Sequence, residues 1–308
     1  MKKVSVLIAC YNAEDYIKDC LQSLIAQTLD DYEIIIVDDG STDTTVSIIH
    51  SVVDGVDNVT FSPRSYNLGT VKTRNELIGM ARGRSEYIAW CDADDFYHTD
   101  KLKTQFNFLN KNPDYLGCGT WYKKFGTVRK KVLKFTHPEA NKLFTCFGSP
   151  VGFPTFMLKN NTSVVFDESL DSGEDYAYLS ELAKIGQITN IKRFLTNYRV
   201  HAKQESTFNF QRQRNAHNIV CQRICEFYLK DKEFLYPFIN DPVINDVDSF
   251  NLFIKIISNL KQDKKNRILI ALLDYRFMSY NKKKINLILR FIFIRNLDLL
   301  TLLKLYTR

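Results

Sequence analysis

Apolar positions in the first hundred residues recur at two alternating spacings. Val4-Ser5-Val6-Leu7-Ile8-Ala9 and Glu33-Ile34-Ile35-Ile36-Val37 are short, almost unbroken apolar runs, the pattern of strands covered on both faces. Between them Tyr16, Ile17, Cys20, Leu21, Leu24 and Ile25 repeat at helical spacing and predict a helix over about 13–27. After Asp38-Asp39-Gly40-Ser41, Thr42 is expected to cap a second helix carrying Val46, Ile49 and Val53, with His50 on its polar flank. Residues 59–61 predict a third strand, and 70–82 a third helix stopped by Gly83 in the left-handed conformation. A fourth apolar run, Tyr87-Ile88-Ala89-Trp90-Cys91, follows, and Asp100 is placed to cap the next helix at Lys101-Leu102. Strands alternating with helices in this way predict an α/β, doubly wound, mostly parallel sheet with right-handed crossovers.

The pattern changes past residue 115. Strand-like pieces at 116–122, 132–135 and 155–158 are short and scattered, so this half is expected to be smaller and irregular. An acidic turn, Asp171-Ser172-Gly173-Glu174-Asp175, opens a helix through Ala183, with Ser172 as its cap, and 187–200 reads as two extended pieces. From Gln211 the chain reads as helical, with a break at Pro237 and Pro242. The expected division is one α/β unit over 1–210 and a helical region over 211–308, without repeats or low-complexity tracts.

Charge sharpens this division. The 308 residues carry a formal net charge of +7, but 255–308 hold thirteen Lys/Arg against three Asp, a net +10, which leaves −3 for the rest. A basic chain can signal nucleic acid. Here the excess lies in a terminal segment rich in Leu, Ile and Phe, which favours an anionic membrane surface and no nucleic acid. Its apolar stretches are broken by Arg290, Arg295 and Asp298, too often for a spanning helix of about 20 residues. The basic, then apolar start is interrupted by Asn12, Glu14 and Asp15, so it reads as a first strand and not as a signal peptide. Seven cysteines without a C-x-x-C pair indicate reduced thiols of a cytosolic chain, and neither a disulfide framework nor a zinc site.

The candidate chemistry gathers at strand ends. The fourth run ends in Asp92-Ala93-Asp94-Asp95, three carboxylates within four residues at the end of a buried strand, where open sheets bind their ligands. Carboxylates so close repel one another unless a cation shares them, and hard oxygen donors on a short loop suit Mg²⁺ or Mn²⁺. The alternative is a solvated acidic turn before the next helix. Tyr11, Asp38-Asp39 and Glu174-Asp175 fall at other predicted element ends.

Taken in order, Ala9-Cys10-Tyr11-Asn12, Val37-Asp38-Asp39-Gly40-Ser41-Thr42-Asp43, Gly69 with Thr73-Arg74-Asn75, the Asp92-x-Asp94 pair, Gly173-Glu174-Asp175 and Tyr198-Arg199-Val200-His201 resemble the family 2 glycosyltransferases of the GT-A fold. The resemblance covers roughly residues 3–206. It implies that Tyr11 and Ala9 border a nucleotide base, Tyr11 by stacking, and that Asp39 accepts the imide N–H of uracil. Cytosine, with an acceptor at that ring position, would be refused. Arg74, Asp92, Ala93 and Asp95 are then expected around the nucleotide-sugar, and Asp94 with Asp92 around a Mn²⁺ or Mg²⁺ ion, with His201 as a further ligand. Asp175 is expected as general base for single-displacement inversion, assisted by Glu174. The function implied is transfer of a hexose or N-acetylhexosamine from a UDP-sugar to a glycan hydroxyl. The acceptor is expected to be lipid-linked, at the inner face of a membrane, in surface-polysaccharide synthesis.

Two other classes compete. A HAD-type phosphatase also carries D-x-D after a strand, but after its first strand and not its fourth. A non-catalytic nucleotide-binding protein of the same fold is the remaining alternative, against which both Asp94 and Asp175 are present.

Overall fold

The structure is a computed structural model. It describes residues 1–228 apart from 171, 203 and 205–209, and residue 270. The expected helices beyond Tyr228, the break at Pro237 and Pro242 and the basic tail lie outside the described residues.

The regular half forms as its pattern dictates. Strands β1 (Lys2–Cys10), β2 (Tyr32–Asp38), β3 (Val59–Pro63) and β4 (Ser85–Trp90) are parallel neighbours in the order β3-β2-β1-β4. Alternate side chains of each strand serve opposite faces. Val4, Val6, Ile8, Ile34 and Ile36 pack with α1 (Ile17–Ile25), α2 (Thr45–Val53) and α4 (Lys101–Lys111), which carry Leu21, Ile49 and Leu109. Leu7, Ile35, Val37, Ile88 and Trp90 pack instead with Leu77 and Ile78 of α3 (Thr70–Ala81) and Leu179 and Leu182 of α6 (Glu174–Ile185). Both faces are therefore covered, which is why these strands read as continuous apolar runs.

Some boundaries differ from the sequence expectation. Helix α1 starts at Ile17 instead of 13, because Ala13 to Tyr16 form a turn in which the Ala13 carbonyl accepts from the Tyr16 N–H. Thr42 caps nothing: its N–H donates to Asn12 Oδ1, while Thr44 stands at the N-cap of α2. Asp100 does precede α4, but its carboxylate accepts from Thr28 Oγ1. Ser172 makes no cap bond at α6, which Gly173 opens with φ of 70°. Gly83, at φ 71°, ends α3 in the left-handed region as expected.

In the second half, β5 (Phe96–Tyr97), β6 (Tyr115–Gly126), β7 (Lys130–Val132), β8 (Met157–Lys159) and β9 (Gln187–Val200) extend the same sheet in the order β4-β8-β6-β9-β5, with β7 paired to β6. Strand β8 is antiparallel to both β4 and β6, whereas β6 and β9 run parallel. The two extended pieces expected over 187–200 are one strand whose pairing with β6 slips at Thr120, Trp121 and Tyr122. The strand expected at 132–135 is β7, ending at Val132. That at 155–158 is a 3-10 turn (Phe153–Thr155) followed by β8. A short helix α5 (Pro138–Phe144) has no counterpart in the sequence reading. Helix α7 (Phe210–Tyr228) packs on α6, and Cys221 Sγ donates to the Cys146 carbonyl. All seven cysteines are free and buried. Among the described residues, no helix is long and apolar enough to cross a membrane.

One polar group sits where the pattern predicts none. Lys101, wholly buried at the start of α4, donates from Nζ to Gln105 Oε1 at 2.7 Å and lies 3.8 Å from the centroid of the Tyr97 ring. Gln105 in turn donates to the Cys118 and Thr155 carbonyls, tying α4 to β6 and the 3-10 turn. Burial pushes the Lys101 ammonium down to about 7. The unfolded chain holds that proton up to about pH 10.4, so between about 7 and 10.4 Lys101 is more protonated in the unfolded chain than in the folded one, and its own contribution to stability rises with pH there. Lys101→Met is expected to remove that rise. Urea unfolding at pH 7 and pH 9.5 reads the difference, and an unchanged pH slope in the variant would refute it.

Candidate active site

Strands β1 and β2 end side by side, with Cys10 opposite Asp38, and their loops lock together. Asn12 takes φ of 47°; its N–H donates to Ser41 Oγ and its Oδ1 accepts from the Thr42 N–H. Glu14 accepts from the Thr44 N–H and hydroxyl. This lattice holds Tyr11 at the rim of the cleft, about half exposed, with Ala9 on the wall below it.

Asp39, buried, accepts at Oδ1 from Arg64 at 2.7 Å and the Leu68 N–H at 2.9 Å, and at Oδ2 from the Gly69 N–H at 2.9 Å. A carboxylate offers about four acceptor positions, so this set leaves one for a ligand. The loop can come this close because residue 40 is glycine: a Cβ there would lie 2.5 Å from the Tyr66 carbonyl carbon, and φ is +77°. Arg64 also pairs with Glu76. Nothing in its sequence context marks Arg64, since its partners come from two other segments, Asp39 at the end of β2 and Thr73 and Glu76 on α3.

At the end of β4 the three carboxylates diverge. Asp92 faces the cleft and accepts from Arg74 Nη2 at 3.2 Å. Arg74 also donates to Glu174 Oε1 at 2.8 Å, and its guanidinium lies 4.3 Å from the Phe153 ring centroid. Burial penalises the Arg74 charge, but Glu174, Asp92 and Asp175 outweigh that and hold it protonated. Burial, with Asp94 and Asp175 nearby, pushes Asp92 up to about 7 despite Arg74.

Asp94 accepts from Gln204 Nε2 at 3.1 Å, and its Oδ2 lies 3.0 Å from His201 Nε2. The His201 ring lies tilted against Tyr16, with centroids 4.4 Å apart, while its buried Nδ1 has no partner among the described residues. Asp95 does not reach the cleft. It is fully buried, accepts from the Arg199 N–H at 2.7 Å, and keeps Oδ2 without a partner among the described residues. Burial, with Asp94 and Asp92 nearby, holds its carboxyl well above the usual range, and its bond to the Arg199 N–H ties the loop to β9.

No group of three His, Cys, Asp or Glu side chains converges on a metal-sized space among the described residues. The chemistry of Asp94 with His201 nevertheless fits a small divalent ion. One or two carboxylates and an imidazole suit Mn²⁺ or Mg²⁺ when substrate phosphates and water fill the other positions.

Glu174 and Asp175 open α6, where the helix dipole favours acids. Asp175 Oδ1 accepts from the Tyr176 N–H at 2.7 Å. Burial and Glu174 raise its carboxyl above the ordinary value, opposed by Arg74 and Lys134. Across the cleft, Lys134 donates to the Ser149 carbonyl at 2.8 Å, and burial pushes its ammonium down to about 8. Neither Lys134 nor Lys124, which also lines the cleft, was singled out from sequence. Both belong to a basic stretch whose strand register alone reveals which side chains turn inward. The whole cleft, of about 650 Å³, is of a size for a nucleotide-sized ligand. It brings together Ala9, Tyr11, Asp39, Arg74, Asp92, Ala93, Asp94, Glu174, Asp175 and His201 and leaves out Asp95.

Comparison with known proteins gives the same picture. A family model described as Glycosyl transferase family 2 matches residues 5–166. UDP-Glc:alpha-D-GlcNAc-diphosphoundecaprenol beta-1,3-glucosyltransferase WfaP of Escherichia coli is 32% identical over 72% of this chain and 91% of its own. S. aureus TarS, solved with UDP-GlcNAc, superposes with a TM-score of 0.60 at 19% identity, over 94% of this chain and 91% of TarS. A mannosyltransferase from Pyrobaculum calidifontis, solved with GDP-Man and Mn²⁺, gives a TM-score of 0.55 at 16% identity, over 91% and 86%. The mixed sheet covered by helices on both faces is the GT-A fold of these structures, and with more than half its length matched by the family model the chain belongs to glycosyl transferase family 2.

Proposed function

We propose that this glycosyltransferase moves a sugar from a UDP-sugar, with inversion, to a hydroxyl of a lipid-linked glycan acceptor in surface-polysaccharide assembly. The observation that carries the reading is one cleft lined by three chemically distinct sets: Tyr11 and Asp39, Asp94 with His201, and Asp175. A UDP donor is further supported by TarS, solved with UDP-GlcNAc, and by WfaP, whose name gives UDP-Glc as donor and a diphosphoundecaprenol-linked GlcNAc as acceptor.

Tyr11 offers an exposed aromatic face to a base, and the acceptor position left on Asp39 suits the imide N–H of uracil. Asp94 and His201, with Asp92 close by, would hold a Mn²⁺ or Mg²⁺ ion. When bound, such an ion acts as a Lewis acid toward the diphosphate as negative charge develops there. Arg74 keeps Asp92 and Glu174 in place and supplies positive charge near the diphosphate. Asp175, its basicity raised by burial, takes the proton from the acceptor hydroxyl as that oxygen attacks the anomeric carbon from the face opposite the leaving group. Segment 255–308, outside the described residues apart from residue 270, would attach the enzyme to an anionic membrane where such an acceptor resides.

Four outcomes test this reading. Asp94→Ala is expected to abolish turnover and metal-dependent UDP binding while the fold persists; full activity of that variant in EDTA would sink the metal reading. Asp175→Asn should bind donor normally but lose kcat by roughly 10²-fold or more. Product NMR should show the anomeric configuration inverted, and retention would exclude a single displacement. Sedimentation with vesicles should require anionic lipid, weaken in high salt, and fall when residues 282–308 are removed. Equal binding to neutral and anionic vesicles would count against membrane attachment.

A further inference from the structure

The hairpin of β6 and β7 is the most cationic element among the described residues. Lys123, Lys124, Arg129, Lys130, Lys131 and Lys134 fall within twelve positions that contain no acid. In the antiparallel register Lys123 stands opposite Lys131, and Lys124 opposite Lys130. Like charges directly across a strand pair destabilise it, so stability does not account for this arrangement. No ion pair joins any of the six to a carboxylate among the described residues. Their neighbours are aromatic: Lys123 and Lys131 lie 5.9 and 5.6 Å from the Phe194 ring centroid, and Lys124 lies 5.2 Å from that of Tyr198.

The hairpin is also held in place. Gly126, at φ 92°, passes so close to β9 that a Cβ would lie 2.5 Å from the Val200 carbonyl oxygen. The Thr127 N–H and hydroxyl both donate to that same oxygen. Trp121 Nε1 donates to the Lys134 carbonyl at 3.0 Å. Two of the cations, Lys124 and Lys134, line the cleft, and burial with the charge of Lys130 pulls the Lys124 ammonium downward. Lys134 spends one N–H on the Ser149 carbonyl and has two more to offer.

Position decides which anion this wall faces. In the sheet order β2-β1-β4-β8-β6, strand β6 lies three spacings from β1, about 14 Å, on the far side of the Asp92 and Asp94 loop from Tyr11. Lys134 is close enough to Asp175 to lower its carboxyl, and Asp175 faces the acceptor in the proposed mechanism. We propose that Lys124 and Lys134 form a phosphate subsite for the acceptor, holding its phosphate or diphosphate beside the attacking hydroxyl, with Lys123, Arg129, Lys130 and Lys131 continuing the track outward. A membrane surface cannot enter the cleft to reach Lys124 and Lys134, which favours a phosphate-bearing acceptor as the occupant. The inference rests on the transferase reading above, in that it takes Asp175 to mark the acceptor side.

Inorganic pyrophosphate is the probe, titrated calorimetrically into the full chain in metal-free buffer at low salt. The wild type should bind it, and Lys124→Gln with Lys134→Gln should weaken binding about tenfold or more, the scale of losing one or two charge-assisted hydrogen bonds. Lys130→Gln with Lys131→Gln, both exposed, should weaken it in the same direction without disturbing the cleft wall. Lys103→Gln with Lys111→Gln on α4 removes equal charge elsewhere and should change little. Binding of UDP with Mn²⁺ should stay within about twofold in every hairpin variant. The proposal is overturned if the wild type binds no pyrophosphate at millimolar concentration, or if the α4 control loses as much. A parallel loss of UDP affinity would assign the lysines to the donor, and hairpin variants that lose anionic-vesicle binding but keep pyrophosphate would assign them to a membrane. A chain that binds no UDP at all defeats the transferase reading, while the comparison of pyrophosphate affinities still tests the hairpin.

Discussion

Five carboxylates, Asp92, Asp94, Asp95, Glu174 and Asp175, share one end of the sheet, four of them lining the cleft and Asp95 buried beneath it, and acids so concentrated cannot all ionise without fixed counter-charge. Arg74 supplies most of it. Its guanidinium bridges Asp92 from β4 and Glu174 from α6, and it can do so in a largely dry place because Phe153 and Phe166 give its flat face an aromatic bed. The bridge joins the two halves of the chain: α3 and β4 from the regular half, α6 and the 3-10 turn from the irregular one. What remains unbalanced is distributed, with Asp94 facing an imidazole and Asp95 sealed under a backbone N–H. The site is thus an arrangement of charge first, and the sheet is the frame that makes the arrangement rigid.

Where periodicity and covalent geometry decide structure, the sequence was readable. The parallel strands β1 to β4 and the helices between them follow from apolar runs and helical repeats, and the acids at strand ends follow from where those runs stop. Past residue 115 the determinants become non-local. Strand β6 is twelve residues long because β8, β9 and β7 all pair with it, and no window of sequence contains those partners. Strand β9 looks like two pieces because its slipped register disrupts alternation. Helix α5 is seven residues long and begins at a proline, too short for a periodic signal.

The candidate site follows the same division. Tyr11, Asp39, Asp92, Asp94 and Asp175 could be named because each ends an element or opens one. Arg64, Gln204 and Lys134 could not, since each acts through a partner distant in sequence and none sits in a recognisable pattern. Asp95 shows the converse: one position beyond a loop that faces the cleft, its side chain turns the other way, and adjacency in sequence says nothing about which way a side chain turns in a bend.

The pairing of Asp94 with His201 spans 107 positions, and that of Asp95 with the Arg199 backbone spans 104. During synthesis at about 5–20 residues per second, the acidic loop therefore leaves the ribosome roughly 5–20 s before its partners exist. Over that interval β1 to β4 can assemble through local crossovers, but the outer edge of β4 stays open until β8 arrives to close it. The nascent chain thus passes through a stage with a half-finished sheet and, on its rim, an acid cluster that has Arg74 but not yet His201, Gln204 or the Arg199 N–H. Strand β4 is the edge most exposed to wrong partners at that stage, and the negative charge at its end is itself a deterrent to association with another copy.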